Sequence, residues 1–467
     1  MEGSEDQRRH RLTGVLVGVA LVAMVGWLAR SEATDGLAGL PLPSPTAAQP
    51  SDRTPTASPS PSERATPAEA PSEGPSQEPS QGPSRPPAID PSVRRVTGTW
   101  ITDLPEAPID VPAVHRGVWT GDTLVVGFED DVAAFDPWRR SWRPLPAHPD
   151  GRADGRQVLL IEGYLDDPTP SGRDQWTQRI AVVGREPSCD APMPCARVDV
   201  LDPTDGTWTD VTDPPAAVPS VDAVAWTGTE LVLLWATAPP RGQAPGTVQP
   251  AVGAALLDWA TLTWRMLPPL VLDDTLPGDG GGRRRDTRVI ALQATGMHPA
   301  GTVLVWGERE RASSFAATFD PANDVWRVAP FPGLVAPLAG VWTSRSDLVV
   351  AGRTADDAPW FGSIRPAVRS WEPLSPLPGV DDPRTSLYGW ATATAGEHVL
   401  LYGGYPSSAF LSWDPAGYAW EVLDVDRPRV NAVAAWTGSE LVIWGGYTEA
   451  GPTVDVAIWR PPLGWPS

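Results

Sequence analysis

The 467-residue sequence contains no lysine, so all 36 of its basic residues are arginine. The 57 acidic residues outnumber them and leave a net charge of −21 at pH 7. Nucleic-acid binding depends on a basic surface that neutralises phosphates. The charge balance therefore argues against a nucleic-acid partner.

Cysteine and histidine are also scarce, with two and five copies. Two cysteines exclude a disulfide-rich scaffold and a zinc site built mainly on cysteine. Cys189 and Cys195 lie in one segment without a nearby histidine, at a spacing that fits no zinc pattern well. In an exported loop, this arrangement favours a disulfide between them.

Segments suited to long helices are rare, because 56 prolines and 44 glycines together make up about a fifth of the chain. Both residues disfavour helix interiors. The composition therefore argues against a helical protein. Tryptophan is abundant in comparison, with 23 copies against 6 tyrosines.

One long apolar run is present, at residues 12–29, and it contains no charge. A helix of about 17–25 apolar residues crosses a bilayer. Arginines are more frequent before the run than directly after it, which predicts a cytoplasmic tail at residues 1–11 and an exported remainder in a single-pass cell-membrane protein. The alternative is a signal peptide cleaved near residues 31–33. The length of the run favours an uncleaved anchor.

Residues 30–93 follow as a predicted linker. Positions 31–92 hold 15 prolines and 11 serines in 62 residues. Such a segment has too little apolar surface to offset the entropy of ordering it. We expect a disordered tether with an extended limit of roughly 190 Å, at ~3.1 Å per residue.

The remaining region, residues 94–467, repeats a motif of Asp-Pro followed by Trp after four residues. Apolar residues precede each copy, and Asp-Pro favours a tight turn, so the motif predicts a strand, a turn and a second strand starting at Trp. Four full copies and two with one replaced residue occur at Asp136-Pro137 to Trp142, Asp202-Pro203 to Trp208, Asp258-Trp259 to Trp264, Asp320-Pro321 to Trp326, Arg365-Pro366 to Trp371 and Asp414-Pro415 to Trp420.

A second motif lies upstream of most of these copies. It is an apolar run, a Thr-Gly turn and another apolar run, as at residues 223–235 and 432–446. This pattern predicts a hairpin, and nearly continuous apolar character favours sheets covered on both faces. Seven such hairpins begin near residues 117, 157, 223, 289, 340, 391 and 432. The hairpin near residue 157 is interrupted by a long insertion.

Two hairpins make a four-stranded unit, which recurs every ~45–66 residues, as propeller blades do. The doublets Gly403-Gly404 and Gly445-Gly446 close the second strand of their hairpins. In these features the sequence resembles kelch-like β-propellers, including the propeller of galactose-oxidase-like proteins. The resemblance implies an all-β propeller over residues 94–467. The seven hairpins predict seven blades, and we expect the propeller to be monomeric.

The last blade lacks a fourth strand at the C-terminus. Residues 98–103, Gly-Thr-Trp-Ile-Thr-Asp, closely match the outer strand at residues 206–210, Gly-Thr-Trp-Thr-Asp. We therefore predict that the N-terminal strand completes the last blade and closes the ring.

Pairs of aspartates are the candidate binding residues. In a blade with strands a to d, the loops after strands b and d lie on one face of the ring. Four pairs are predicted to lie there: Asp130 and Asp131, Asp273 and Asp274, Asp356 and Asp357, and Asp381 and Asp382. This acidic face is expected to bind a basic protein segment or a divalent cation such as Ca²⁺, for which carboxylates from separate loops are suitable ligands. No other cofactor is expected. Solvated turns without a ligand are the alternative.

Two functions stay open at this point. The first is an exported binding module for a protein or glycan, and the second is an exported hydrolase, lyase or oxidase acting at the channel mouth. Most tryptophans recur at equivalent blade positions and are predicted to pack between blades, whereas Trp176 and Trp360 do not and are better candidates for contacting a sugar. No motif for catalysis occurs, and the single pair of cysteines with scattered histidines does not fit a copper-radical oxidase. Binding is therefore the preferred hypothesis.

Overall fold

The protein is described by a computed structural model. It covers residues 93–465, except 113, 150–154, 166–174, 187–194, 212, 216–217, 219–220, 238–250, 273–288, 298–301, 310–314, 322, 330–333, 343–347, 355–358, 366–369, 375–377, 379–385 and 406–408. The predicted membrane helix and linker lie outside the described residues. Within the described part, no helix is long and apolar enough to cross a membrane.

The described chain opens with two short strands, β1 (Arg94–Val96) and β2 (Thr99–Ile101). The described residues form seven sheets of four or five strands, in agreement with the predicted number of blades, and one two-stranded ribbon. Blade 1 contains β3 (Gly117–Trp119), β4 (Leu124–Gly127), β5 (Val132–Asp136) and β6 (Ser141–Leu145). Blade 2 contains β7 (Gly155–Leu165), β8 (Gln175–Glu186), β9 (Cys195–Leu201) and β10 (Trp208–Asp210). Blade 3 contains β11 (Ala223–Trp226), β12 (Glu230–Ala236), β13 (Ala251–Asp258), β14 (Thr263–Met266) and the short β15 (Leu270–Val271).

The other four blades continue the same pattern of antiparallel strands. Blade 4 contains β16 (Val289–Met297), β17 (Thr302–Arg309), β18 (Phe315–Asp320) and β19 (Val325–Ala329). Blade 5 contains β20 (Leu334–Trp342), β21 (Leu348–Thr354), β22 (Pro359–Arg365) and β23 (Ser370–Pro373). Blade 6 contains β24 (Ser386–Ala395), β25 (His398–Tyr405), β26 (Ala409–Asp414) and β27 (Ala419–Leu423). Blade 7 contains β28 (Val433–Trp436), β29 (Leu441–Trp444), a ribbon of β30 (Tyr447–Thr448) and β31 (Gly451–Pro452), and β32 (Val456–Arg460).

The blades form a closed ring. One of the first two strands of each blade contacts the first strand of the next blade, and the first strand of blade 7 contacts that of blade 1. Seven apolar clusters of buried residues occur, one at each junction between neighbouring blades. The residues of β4 and β29 are all buried, which confirms the prediction of sheets covered on both faces.

The turns follow from their sequences. In the Asp-Pro turns, the Asp136 carboxylate accepts hydrogen bonds from the backbone N–H groups of Trp138 and Arg139, both at 2.9 Å. The equivalent Asp202 and Asp414 bind the N–H two residues further on. In this way the aspartate side chain replaces backbone partners in the turn.

A tryptophan hydrogen bond joins several neighbouring blades. In four described junctions, the indole N–H of an outer-strand tryptophan donates to a backbone oxygen just after the outer strand of the preceding blade. The pairs are Trp142 with Pro105, Trp208 with Pro146, Trp326 with Pro268 and Trp100 with Asp424, at 2.7–3.1 Å. The predicted packing role of the repeated tryptophans is thus confirmed at these positions, because each indole both covers a junction and satisfies its N–H.

The N-terminal strand completes blade 7, as predicted. β2 pairs antiparallel with β32, with Trp100 opposite Trp459. Gly98 passes so close to the Trp459 indole that a Cβ atom there would lie 2.3 Å from its Nε1. A glycine is therefore required where the chain enters the strand.

β1 is a feature that the sequence did not reveal. It pairs in parallel with β27 of blade 6, and Arg94 forms a 2.8 Å ion pair with Glu421. Val96 is buried in the cluster between blades 6 and 7. The N-terminal segment therefore joins two blades, whereas only one had been predicted.

Candidate functional site

Few of the predicted site residues lie in the described part of the chain. Asp130 and Asp131 follow β4 and are exposed on the predicted face. Asp131 accepts a long hydrogen bond of 3.4 Å from the Asp110 N–H. The other six aspartates lie outside the described residues: Asp273, Asp274, Asp356, Asp357, Asp381 and Asp382.

The predicted disulfide and the two candidate sugar-binding tryptophans have different outcomes. Cys189 and the side chain of Cys195 lie outside the described residues, so the disulfide stays a prediction. The side chain of Trp176 also lies outside them. Trp360 is half-buried and packs against the apolar cluster between blades 4 and 5, so its ring is a packing group and not a free surface.

Buried polar side chains gather on the face of the ring that carries Asp130 and Asp131. We call it the b–c face, because it holds the loops between the second and third strands of each blade, together with the segments that lead to the next blade. Arg429 lies in the segment from blade 6 to blade 7, and His115 in the segment that enters blade 1. Both contact the loop between β29 and β32.

Arg429 is the most unusual of these residues, because it is 1% exposed. Its Nη1 donates to the backbone oxygens of Gly445, at 3.2 Å, and Asp455, at 2.8 Å. Among the described residues, neither Nε nor Nη2 has a hydrogen-bond partner. Burial lowers the pKa of the guanidinium, whereas nearby Tyr402 and Asp455 raise it.

His115 flanks the other side of the same loop. Its Nε2 donates to the Thr453 backbone oxygen at 2.9 Å, and Nδ1 is buried without a hydrogen-bond partner in the described part of the chain. The ring packs edge-on against Trp444 and Tyr447. Burial lowers the pKa of His115, although Glu129 raises it, so the neutral form is favoured.

The glycine doublet after β29 makes this packing possible. Gly445 and Gly446 have φ angles of 65° and 89°, in the left-handed region. A Cβ atom on Gly445 would lie 2.3 Å from the His115 Cδ2. The glycine doublet that closes the hairpin therefore leaves the space in which the His115 ring packs against this loop.

Tyr402 extends the cluster into blade 6. Its hydroxyl donates a short hydrogen bond to the Arg427 backbone oxygen. Burial raises the pKa of Tyr402 to about 12, with Arg429 acting in the opposite direction. The phenol therefore stays protonated at physiological pH and fixes the segment that carries Arg429.

The inserted ribbon β30–β31 is anchored next to Arg429. Val430 and Tyr447 exchange two backbone hydrogen bonds of 3.0 and 2.8 Å. The backbone oxygens of Gly445 and Asp455 both accept hydrogen bonds from Arg429. Gly445 lies before the ribbon in the chain and Asp455 lies after it. The guanidinium consequently bridges the two ends of this insertion.

A second polar cluster lies between blades 1 and 2, and it has the composition of a metal site. His148, Asp199 and Asp210 offer ligand atoms within 4.8 Å of one another. Asp199 and Asp210 face each other across β9 and β10, an unfavourable placement for two like charges. Burial raises the pKa of Asp199 above its usual range.

Arg197 already neutralises these carboxylates. Its Nε lies 2.9 Å from the Asp199 Oδ1, and its Nη2 lies 3.0 Å from the Asp210 Oδ1. The same Asp199 oxygen lies 3.4 Å from His148 Nε2. The guanidinium thus takes the place that a bound cation would occupy, and the cluster is an ion network that fixes the blade 1 exit segment to blade 2.

Sequence reasoning missed both clusters. Arg429 carries no motif. The second cluster combines Arg197, Asp199 and Asp210 of one hairpin with His148 from the segment that leaves blade 1, and only the assembled blades bring His148 to this hairpin. For the second cluster, the sequence offered one signal: the match between residues 98–103 and 206–210 placed Asp210 on an outer strand.

The ring and its face define the protein as a seven-bladed β-propeller with a buried cationic group on one side. No family model matches the chain, and no curated protein matches it.

Proposed function

We propose that the chain is a membrane-tethered, extracytoplasmic binding module, whose kelch-like propeller presents its b–c face to a protein or glycan partner. A fold alone does not decide function. The observation that carries the proposal is the buried Arg429, whose Nε and Nη2 lack hydrogen-bond partners among the described residues, on the face that also exposes Asp130 and Asp131. Buried polar atoms are normally satisfied, so such a group points to a missing partner.

The tether follows from the sequence. The apolar run at residues 12–29 and the arginines before it support a single-pass anchor with the propeller outside. The proline-rich segment supports a spacer that holds the propeller away from the membrane. Calcium binding by the paired aspartates stays a prediction.

An exported hydrolase, lyase or oxidase is the second candidate, because clustered groups with shifted pKa values are typical of active sites. His115, Tyr402 and Arg429 form such a cluster. Two of the groups that could transfer a proton are held by the backbone, however: the Tyr402 hydroxyl and the Nε2 of His115 each donate to a backbone carbonyl. Binding therefore accounts better for the arrangement.

Photo-crosslinking in intact cells tests the proposal by comparing the two faces of the ring. A photoreactive amino acid is placed at exposed Asp130 or Glu449 on the b–c face. The matched controls are exposed Asp122 in blade 1 and Ser439 in blade 7, which lie in loops between the first two strands and hence on the opposite face. We expect a discrete adduct from at least one b–c position and none from the controls. Adducts of equal yield from both faces would refute a binding surface on one face.

A further inference from the structure

The guanidinium of Arg429 uses only one of its three nitrogens. Nη1 serves two backbone carbonyls, while the described residues offer no hydrogen-bond partner to Nε and Nη2. The N–H groups of Nε and Nη2 point from the same edge of the planar group. This edge forms the paired, parallel hydrogen bonds by which arginine binds a carboxylate.

No carboxylate in the described part of the chain fills that edge. Asp455 is the carboxylate that raises the pKa of Arg429, and its side chain lies 3.5 Å from the Nη1 of Arg427. Arg427 is half-exposed, so a second cation lies beside the first. A buried charge is costly unless it is paired, and the free protein holds between blades 6 and 7 a cation whose Nε–Nη2 edge has no partner among the described residues.

We infer that the Nε–Nη2 edge of Arg429 is a receptor for a single carboxylate carried by the ligand. This inference rests on the proposed binding function and names the chemistry recognised at that site. One monoanionic carboxylate matches one guanidinium in charge and in planar geometry. A phosphate dianion would bring a second negative charge that Arg429 does not balance, since Arg427 is committed to Asp455.

The segments around the Nε–Nη2 edge of Arg429 limit which ligands can reach it. Arg429 bridges the two ends of the β30–β31 insertion, and Val430 is paired to that ribbon. Nε and Nη2 are sealed from solvent in the free protein, so only small anions or a protruding carboxylate can reach them, after local opening. Binding is accordingly expected to reach equilibrium slowly.

The test is a thermal-unfolding titration of the full-length chain in detergent micelles at pH 7, with long equilibration. Sodium formate is the probe, and sodium chloride and sodium phosphate at equal ionic strength are the references. We expect a saturable rise in melting temperature with formate, with a dissociation constant on the order of millimolar for so small a ligand. At ten times that constant the rise should be about 1–3 °C.

Three variants assign the effect to the edge. Arg429→Lys keeps the charge but loses the fork, and Arg429→Gln loses both, so each should abolish the saturable response. Arg427→Gln is the matched control, because it removes the neighbouring half-exposed cation and should retain the response. If the Arg429 variants do not fold, wild-type crystals grown in formate should show a planar anion on Nε and Nη2.

Three results would overturn the inference: a formate effect no different from that of chloride, an equal Arg429-dependent response to phosphate, or formate-grown crystals without an anion on this edge. If these occur while Asp130 or Glu449 still crosslinks a discrete partner, the carboxylate receptor fails and the binding function stands. If formate binds but no b–c position crosslinks, the binding module for a macromolecular partner fails instead.

Discussion

A chain that begins at Leu104, and so lacks β1 and β2, is expected to unfold at a melting temperature lower by about 10 °C or more, or not to fold at all. The deletion removes Trp100 and exposes the hydrogen-bonding edge of β32, where Trp459 is fully buried. Loss of the half-buried Trp100 side chain should cost about 3 kcal/mol, the lower end of the range for core tryptophans, and opening the ring adds to this loss. Thermal unfolding followed by tryptophan fluorescence measures the effect.

The control is a chain that begins at Pro87, where the compact propeller unit starts. It keeps both strands and should melt like the full-length chain. A second truncation, beginning at Gly98, removes only β1 and should give an intermediate loss, because the Arg94 to Glu421 ion pair and Val96 packing disappear. Equal melting of all three chains would show that the N-terminal strand does not close the ring.

Asp424→Ala is expected to lower the free energy of unfolding by about 3–5 kcal/mol, because one carboxylate oxygen joins three segments of the closure. The Oδ1 of Asp424 accepts hydrogen bonds from the Gly98 N–H, at 2.8 Å, and from the Trp459 Nε1, at 3.2 Å. The substitution leaves the buried indole N–H without its acceptor. Chemical denaturation measures the loss.

Asp424→Asn is the matched variant. It keeps an oxygen at the same place and loses only the charge, so it should cost about half as much. A loss for Asp424→Ala no greater than that for Asp424→Asn would mean that the two hydrogen bonds do not contribute to closure.

The blades could be predicted from sequence because their determinants are local. A Thr-Gly or Asp-Pro turn between apolar runs specifies a hairpin within about fifteen residues, and β7 and β8 appeared at the predicted hairpin near residue 157 despite its insertion. The closure by β2 was predictable for a different reason: residues 98–103 repeat the outer-strand motif of another blade.

The buried polar cluster could not be predicted, because it depends on contacts across the ring. Arg429 and His115 lie more than 300 residues apart in the chain and meet the same loop only when blades 6, 7 and 1 are assembled. β1 could not be predicted for a similar reason, because a strand of three residues that pairs with a neighbouring blade leaves no periodic pattern in the sequence. The paired aspartates, in contrast, were visible in the sequence, and only Asp130 and Asp131 lie among the described residues.

The claim that the propeller stands outside the cell on an N-terminal tether is tested most directly by protease treatment of intact cells. A compact propeller resists proteolysis, whereas the proline-rich linker at residues 30–93 should be cut. We expect added protease to release an intact fragment of the propeller into the medium and to leave the N-terminal segment in the membrane. A propeller that stays cell-associated and uncut until the cells are lysed would contradict the account.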